Sequence, residues 1–441
     1  MMGFIVGMLL VCVSAGAVWQ DSHEFIDVGY VNCIFARSDS FVVVGMSSGK
    51  VFKWDGTVWT EMDSPTTWPI DNILVTEDDV ILMHCNHYFY WHENGSWRNK
   101  TLQPAYDEFT GISGTSRQNM IIHDELKVYK YEDGAFHQYF HIGYQGVDCP
   151  LITDAFSFDG VTVYWNASRI EITGYWGSGG QWFEDYYEVD SECYVYNGED
   201  AGSFFGESVG EGSIFFPHSP ECIYLTNDGG GLDSNGRRVI RYNGEFFTDM
   251  ATRCHRSDMG YTHNADTLLF VCDDRVHVWD GLIRYELPPL PNNLTPYDSI
   301  HGLSKADFWV SGYNSIHHWV GPVPEVPAET GAFMKLHDYR IHTGEDFHLE
   351  LAACNATNST LTGDVYCCMM LFGTNGLWFW PNWTKDPAQI DPVSVTLEPN
   401  SIEYFDVLNF TWLDLDFQVD GLFHSIMVKE NGDLTEFQSV G

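Results

Sequence analysis

The chain has 441 residues, of which 44% are hydrophobic and 15% aromatic, enough to build one large repeat domain and a smaller one. Its 62 acidic residues stand against 21 basic ones, a net charge of −41. A surface so charged repels phosphate backbones and anionic membrane faces, which excludes nucleic acid as a partner.

The first residues, MMGFIVGMLLVCVSAGAVW, form an apolar run of secretory-signal length that ends in Ala15-Gly16-Ala17, the small-x-small pattern of a cleavage site. We expect residues 1–17 to be a signal peptide and the mature chain to be exported, with no membrane span after cleavage. Ten cysteines then remain: Cys33, Cys85, Cys149, Cys193, Cys222, Cys254, Cys272, Cys354, Cys367 and Cys368. In an oxidising compartment they are disulfide candidates. Seven lie before Val320 and three after it, and Cys354 can pair with only one of the adjacent Cys367 and Cys368. Eight Asn-x-Ser/Thr sequons mark N-glycosylation candidates at Asn94, Asn99, Asn166, Asn293, Asn355, Asn358, Asn382 and Asn409.

From residue 18 onward one phrase recurs: an apolar-aromatic strand, a tight turn with glycine, then another aromatic. It reads KVFKWDGTVW ending at Trp59, and returns around Trp91, Tyr131, Tyr242, Trp279 and Trp319, with a weaker copy at Tyr196. From Trp54 onward the steps are 37, 40, 65, 46, 37 and 40 residues. A period of about 40 to 45 residues marks a four-stranded propeller blade. In the first repeat VNCIFAR, FVVVGM, KVFKW and VWTEM are four strands parted by short polar turns, and the aromatics flanking Asp55-Gly56 can pack across a hairpin. Seven blades are expected over residues 18–321.

Blade four carries the insertion YWGSGGQWFEDYYEVDSEC, and blade five carries NDGGGLDSNGRR. Insertions are read as loops, where binding sites are built. Trp176, Trp182, Phe183, Tyr186 and Tyr187 fall outside the repeat, so they are the ligand-binding candidates for stacking on sugars or for a protein hot spot. Asp228, Asp233 and Asn235 offer hard oxygen ligands among glycines, which suits calcium. The string Gly206-Glu207-Ser208-Val209-Gly210 matches a nucleophile elbow but lies between two strands with no helix to follow, so it is read as a turn between blades. His137 and His141, four apart on an expected strand, and the adjacent His317 and His318 do not make a metal site.

Blade seven lacks a good fourth strand, because Val320-Gly321-Pro322 leads into a proline-rich run. Residues 18–28 have the missing strand character, so we expect them to close the ring. Pro322–Pro327 reads as a stiff linker. Residues 328–441 alternate apolar and polar residues in short runs, the pattern of an antiparallel β-sandwich of immunoglobulin-like type.

Two resemblances follow from these motifs. The repeated aromatic-Asp/Asn-Gly phrase resembles that of secreted Kelch-like and tectonin-like propellers. Thr343–Phe347, Leu377–Trp383, Leu408–Trp412, Phe423 and Asn431-Gly432-Asp433 resemble the C-terminal β-sandwich module of many secreted microbial proteins. That module implies carriage or display and brings no catalytic residues. The Ser-x-Asp-x-Gly-x-x-Trp boxes of sialidase-type propellers are missing. The expected function is therefore that of an acidic extracellular glycoprotein that binds a glycan or an extracellular protein through the loops of blades four and five. Self-assembly into filaments or a surface layer is part of that reading. The alternative is a polysaccharide hydrolase or lyase in the central cleft, for which two or three convergent acids would be the mark.

Overall fold

A computed structural model describes residues 18–25, 28–76, 79–85, 88–99, 109–116, 119–124, 127–132, 135–141, 149–158, 161–176, 181–196, 201–203, 214–219, 222–227, 237–242, 247–254, 260–264, 267–272, 275–291, 299–336, 344, 346–371, 377–411, 421–435 and 438–440. Seven four-stranded antiparallel sheets follow one another along the chain. Their first strands are Val31–Ser38, Asn72–Val75, Phe109–Ser116, Cys149–Phe158, Ile214–Ser219, Gly260–Asn264 and Ile300–Ser304. Each first strand contacts the first strand of the next blade, and the seventh contacts the first. The sheets therefore form a closed β-propeller with these strands innermost. The blade that was weakest in sequence, blade four, is a full sheet whose third strand ends at Tyr196.

The repeated phrase has a physical reason. In blade one the Asp55 carboxylate accepts hydrogen bonds from the Thr57 hydroxyl (2.7 Å) and from the Thr57 and Val58 amides (both 2.9 Å). These bonds, the hydroxyl first, hold the Asp55 carboxyl below the usual carboxylate range. In blade six Asp280 accepts from the Leu282 and Ile283 amides in the same way. Gly56 and Gly281 sit at φ +95° and +99°, where a side chain is disfavoured. The aromatic and the acid thus close the same turn in both blades, and the Trp54 and Trp59 rings meet across it at 5.6 Å.

Apolar side chains from neighbouring blades fill the space between them. Leu269, Val276 and Val278 of blade six pack with Phe308, Val310 and Trp319 of blade seven, and Ile34 and Val44 of blade one pack with Trp309 and Ile316. The outer strand of blade seven is Val18–Glu24, paired antiparallel from Val18 opposite Val320 to Glu24 opposite Ser315. Trp19 lies edge-on against Trp319 at 5.2 Å and Phe308 at 5.8 Å. The seam is tied again at the inner strands, where the Ala36 amide donates to His301 Nδ1 (3.1 Å) and the Ile34 amide to Ser299 Oγ (3.0 Å).

Past the propeller, Gly331–Leu336, Asp346–Asn355 and Ser401–Thr411 form one antiparallel sheet. Leu361–Leu371 centres a second, with Leu377–Trp380, Val393–Leu397, Gly421–Lys429 and Gln438–Val440. Both sheets contribute to one core, including Leu349, Leu351, Val365, Cys367 and Met427. The proline-rich segment, expected as a linker, runs against blade six. Pro327 bridges to Tyr285, the Ala328 amide donates to the Arg284 carbonyl (2.7 Å), and Arg284 is ion-paired with Glu329. Leu282, Ile283 and Tyr285 then pack on Phe333, Ala352 and Cys354.

The cysteine expectation is corrected where the structure describes the thiols. Cys33, Cys85, Cys354, Cys367 and Cys368 are free and buried, and Cys222 is buried in blade five. Cys354 pairs with neither later cysteine because it faces blade six while Cys367 lies in the core between the two sheets. Burial pushes the thiols of Cys33, Cys85, Cys354, Cys367 and Cys368 upward, so they stay protonated and inert. The side chains of Cys149, Cys193, Cys254 and Cys272 lie outside the described residues. Asn355 is likewise corrected. It is fully buried, and its amide nitrogen donates to the carbonyls of Ser359 (2.8 Å), Leu397 (3.2 Å) and Glu398 (2.9 Å), which leaves no room for a glycan. Asn94, Asn99, Asn358, Asn382 and Asn409 are exposed. Asn293 and the side chain of Asn166 lie outside the described residues.

Candidate functional site: an aromatic face on blades seven, one and two

In a four-stranded up-and-down blade, the turn between strands two and three emerges at the same end as the connection to the next blade. On blades seven, one and two these segments are stitched together. The Val31 amide donates to the Tyr313 carbonyl (3.2 Å), the Ser47 amide to the Tyr30 carbonyl (2.9 Å), and the Ile70 amide to the Met46 carbonyl (3.2 Å). Ser64 Oγ donates to the Gly49 carbonyl at 2.5 Å. Gly49, at φ +81°, lets the next connection pass so close that a Cβ there would meet the Thr67 backbone at 2.7 Å. The Asp71 amide donates to the His84 carbonyl in blade two (3.0 Å).

This framework raises aromatic side chains into solvent. Tyr313 is 57% exposed, Trp68 55% and Tyr88 38%. Tyr30 lies beside Tyr313 with ring centroids 5.5 Å apart. Exposed acids, Asp63 and Asp71, flank Trp68, and the nearby Lys50 is ion-paired with Glu61 at 3.1 Å. The face is thus aromatic and acidic. The sequence signal for it was Thr67-Trp68-Pro69, a tryptophan off the repeat and next to a residue that cannot donate to a strand.

The candidates chosen from sequence stand differently. The blade-four insertion is not a loop but an extension of the sheet: Val161–Trp176 and Gln181–Tyr196 pair from Thr162–Tyr196 to Trp176–Gln181. Its aromatic residues and Val189 favour strand over loop. Trp182 stands opposite Tyr175, Phe183 opposite Gly174, Tyr186 opposite Glu171 and Tyr187 opposite Ile170. Period two then assigns positions 182 and 186 to one face of the hairpin, and positions 176, 183 and 187 to the other. The side chains of all five lie outside the described residues. Asp228, Asp233 and Asn235 lie outside the described residues, as does residue range 206–210. His317 and His318 do not converge: His317 is hydrogen-bonded to Ser315 Oγ, while His318 stacks on Trp309 at 3.7 Å and reaches Asp307 at 2.6 Å.

At the centre of the ring, Phe35, Tyr261 and His301 each stand three residues before the last pair of their inner strand. His301 is held between the other two rings, at 4.4 Å from Phe35 and 4.3 Å from Tyr261. Across the seven inner strands the sequence carries a single acid, Asp154. Those strands therefore do not supply the carboxylate pair that glycoside cleavage requires.

Among the described residues, one group has metal-ligand chemistry: His348, Glu350 and Asp406, whose ligand atoms all lie within 4.8 Å of one another.

These features define an all-β protein built on a closed propeller. No family model matches the chain, and no curated protein matches it in sequence. Among solved structures it is similar to a streptogramin B lyase, with 11% identity and a TM-score of 0.48 over 68% of this chain and 97% of that one. YCF48 from Cyanidioschyzon merolae is similar at 11% identity and a TM-score of 0.46, over 69% and 98%. The extracellular domain of the one component system BT4673 from B. thetaiotaomicron covers more of this chain, 93%, with 56% of its own length, at 10% identity and a TM-score of 0.46. At these identities the likenesses say nothing of activity.

Proposed function

We propose that this chain is a binding scaffold which holds a protein partner on the aromatic face of blades seven, one and two. The observation that carries this reading is the set of exposed rings, Tyr313, Trp68 and Tyr88, raised on hydrogen-bonded segments of three consecutive blades. Tyrosine and tryptophan supply large contact area at low entropic cost and dominate binding energy in protein interfaces. A net charge of −41 steers cationic partners toward the molecule and repels polyanions, so the partner segment is basic. Export belongs to the same proposal, supported by the apolar leader and by the exposed sequons at Asn94, Asn99, Asn358, Asn382 and Asn409. Glycosylation at those sites would keep the acidic surface soluble outside the cell.

The test is a peptide array of basic sequences bearing apolar residues, probed with the full chain alongside neutral glycans. We expect selective capture of basic peptides, weakening as salt rises and falling at least about tenfold in the Trp68→Ala/Tyr313→Ala double variant. Exposed substitutions of this kind leave stability within about 0.5 kcal/mol, so thermal unfolding separates loss of binding from loss of fold. Capture that the double variant retains would move the site elsewhere. Selective capture of neutral glycans would overturn the choice of partner.

A further inference from the structure

We propose that His348, Glu350 and Asp406 form a site for a divalent transition metal of the zinc class on the outer face of the first C-terminal sheet. The strand Asp346–Asn355 alternates strictly. Phe347, Leu349, Leu351 and Ala353 point into the shared core, and the even-numbered residues point outward. Blade six covers Ala352 and Cys354 on that outward face. His348 and Glu350 lie further along it and are half-buried, while Asp406 on the paired strand is exposed. The face therefore has a closed half and a half that opens to water.

A bulge builds the site. Leu408 stands opposite Leu349, but Asp406 stands opposite Glu350, so the ladder skips at Val407. The buried Val407 stays in the core, and the skip brings Asp406 to the outward face beside His348. His348 Nε2 and Asp406 Oδ1 are 3.3 Å apart. Bulges commonly re-aim one side chain in this way. The result also sets two carboxylates directly opposite each other, within reach of a single cation.

Lys335 on the neighbouring strand stands opposite Glu350 on its other side. It supplies one positive charge to a row that also holds Asp406. Glu350 has two oxygens, so a lysine and a metal ion can be served by different ones.

The ligand chemistry chooses the ion. Calcium and magnesium take all-oxygen sets, whereas an imidazole nitrogen with carboxylates suits zinc and its neighbours. Zinc binds nitrogen and oxygen at about 2.0–2.2 Å, which puts ligand atoms about 3–4 Å apart around one ion. Atoms already within 4.8 Å reach that spacing by small side-chain rotations on two paired strands. Three protein ligands leave a further position for water or for a donor atom from a partner.

The experiment titrates the dialysed full-length chain with ZnCl2 by calorimetry and with CoCl2 by visible absorption. His348→Ala and Asp406→Asn are compared with wild type, and circular dichroism confirms that both fold. We expect one saturable equivalent with a dissociation constant of about a micromolar or below, and a cobalt band typical of low coordination number. Either variant should weaken binding by at least about tenfold. A Glu350→Gln variant gives a third arm, in which affinity drops while Lys335 loses its counter-charge. Absence of saturable zinc binding overturns the proposal. So does binding that is unchanged in both His348→Ala and Asp406→Asn, which would place the ion at another of the 18 histidines or 62 acids.

Discussion

The two ends of the propeller blades are built on different terms. At the turns between third and fourth strands, blades one and six repeat the same solution, with Trp54-Asp55-Gly56 and Trp279-Asp280-Gly281 closing identical carboxylate-to-amide turns. At the opposite end, Tyr30, Trp68 and Tyr313 come from segments outside the phrase, and Tyr88 stands at the first position of the strand that carries it in blade two. Among the recurring aromatics, Trp91, Trp279 and Trp319 are 3%, 4% and 0% exposed and Trp54 and Tyr131 are half-buried, against 55% for Trp68. Repetition therefore records the demands of the ring, and departure from it marks surface left free for recognition.

The sharpest way to break this comparison is to truncate a tryptophan of the repeated kind. Trp319→Ala empties a fully buried site between blades six and seven and removes one of the rings packed on Trp19, so it should cost about 3–5 kcal/mol in urea unfolding. A cost below about 1 kcal/mol would show that the ring does not depend on its repeat aromatics.

The repeated turns themselves are not equal, and the next prediction sharpens the comparison within one end of the blades. Among the described residues, Asp55 accepts only within its own turn. Asp280 also accepts from the Tyr285 hydroxyl at 2.9 Å, and Tyr285 packs on Phe333 and lies 3.5 Å from the Tyr404 hydroxyl. Asp280→Ala should thus cost about 1–3 kcal/mol, because it leaves a buried tyrosine without its acceptor. Asp55→Ala, at an exposed turn, should cost less than Asp280→Ala in the same denaturation series. Equal costs would mean that blade six and the C-terminal region are not coupled through this tyrosine.

How far the residue string could be read follows the same division. The blade count, the hairpin packing at Trp54 and Trp59, and the need for a borrowed strand in blade seven were legible because each rests on local period and turn chemistry. The blade-four insertion, expected as a loop because it interrupts the repeat, is paired strand, since the aromatic residues on both sides of positions 177–180 have strand propensity. Asn355 looked like any other sequon, since burial depends on Leu397 and Glu398, more than forty positions away. The partners proposed for Cys354 failed for a related reason. Alternation told which neighbours oppose each other, but not that one face of that strand would be claimed by blade six. The aromatic face and the His348–Glu350–Asp406 group were out of reach, because their members come from separate blades or lie across a bulge.

The inner ring offers the smallest and most specific test of repetition against exception. Phe35 and Tyr261 fill the same inner-strand position in blades one and six, and blade seven places His301 there. The Ala36 amide donates to its Nδ1, so the half-buried ring, enclosed by Phe35 and Tyr261, is neutral with its proton on Nε2. Burial lowers its pKa from 6.5 to about 3. Between those values the unfolded chain binds a proton that the folded chain does not, so this group makes stability rise with pH, and acid removes it progressively below about pH 6.5. His317, lowered to about 4 by burial, acts in the same direction but is present in wild type and variant alike. His301→Phe restores the aromatic of the neighbouring blades and leaves the Ala36 amide without its acceptor. At pH 7 the variant should be less stable by about 1 kcal/mol. As pH falls toward 4.5 the wild type should lose its advantage, and the two urea midpoints should converge and then cross. A gap between them that stays constant from pH 7 to 4.5 would mean that the histidine charges freely in the folded ring, and that the exception at this position carries no acid sensitivity.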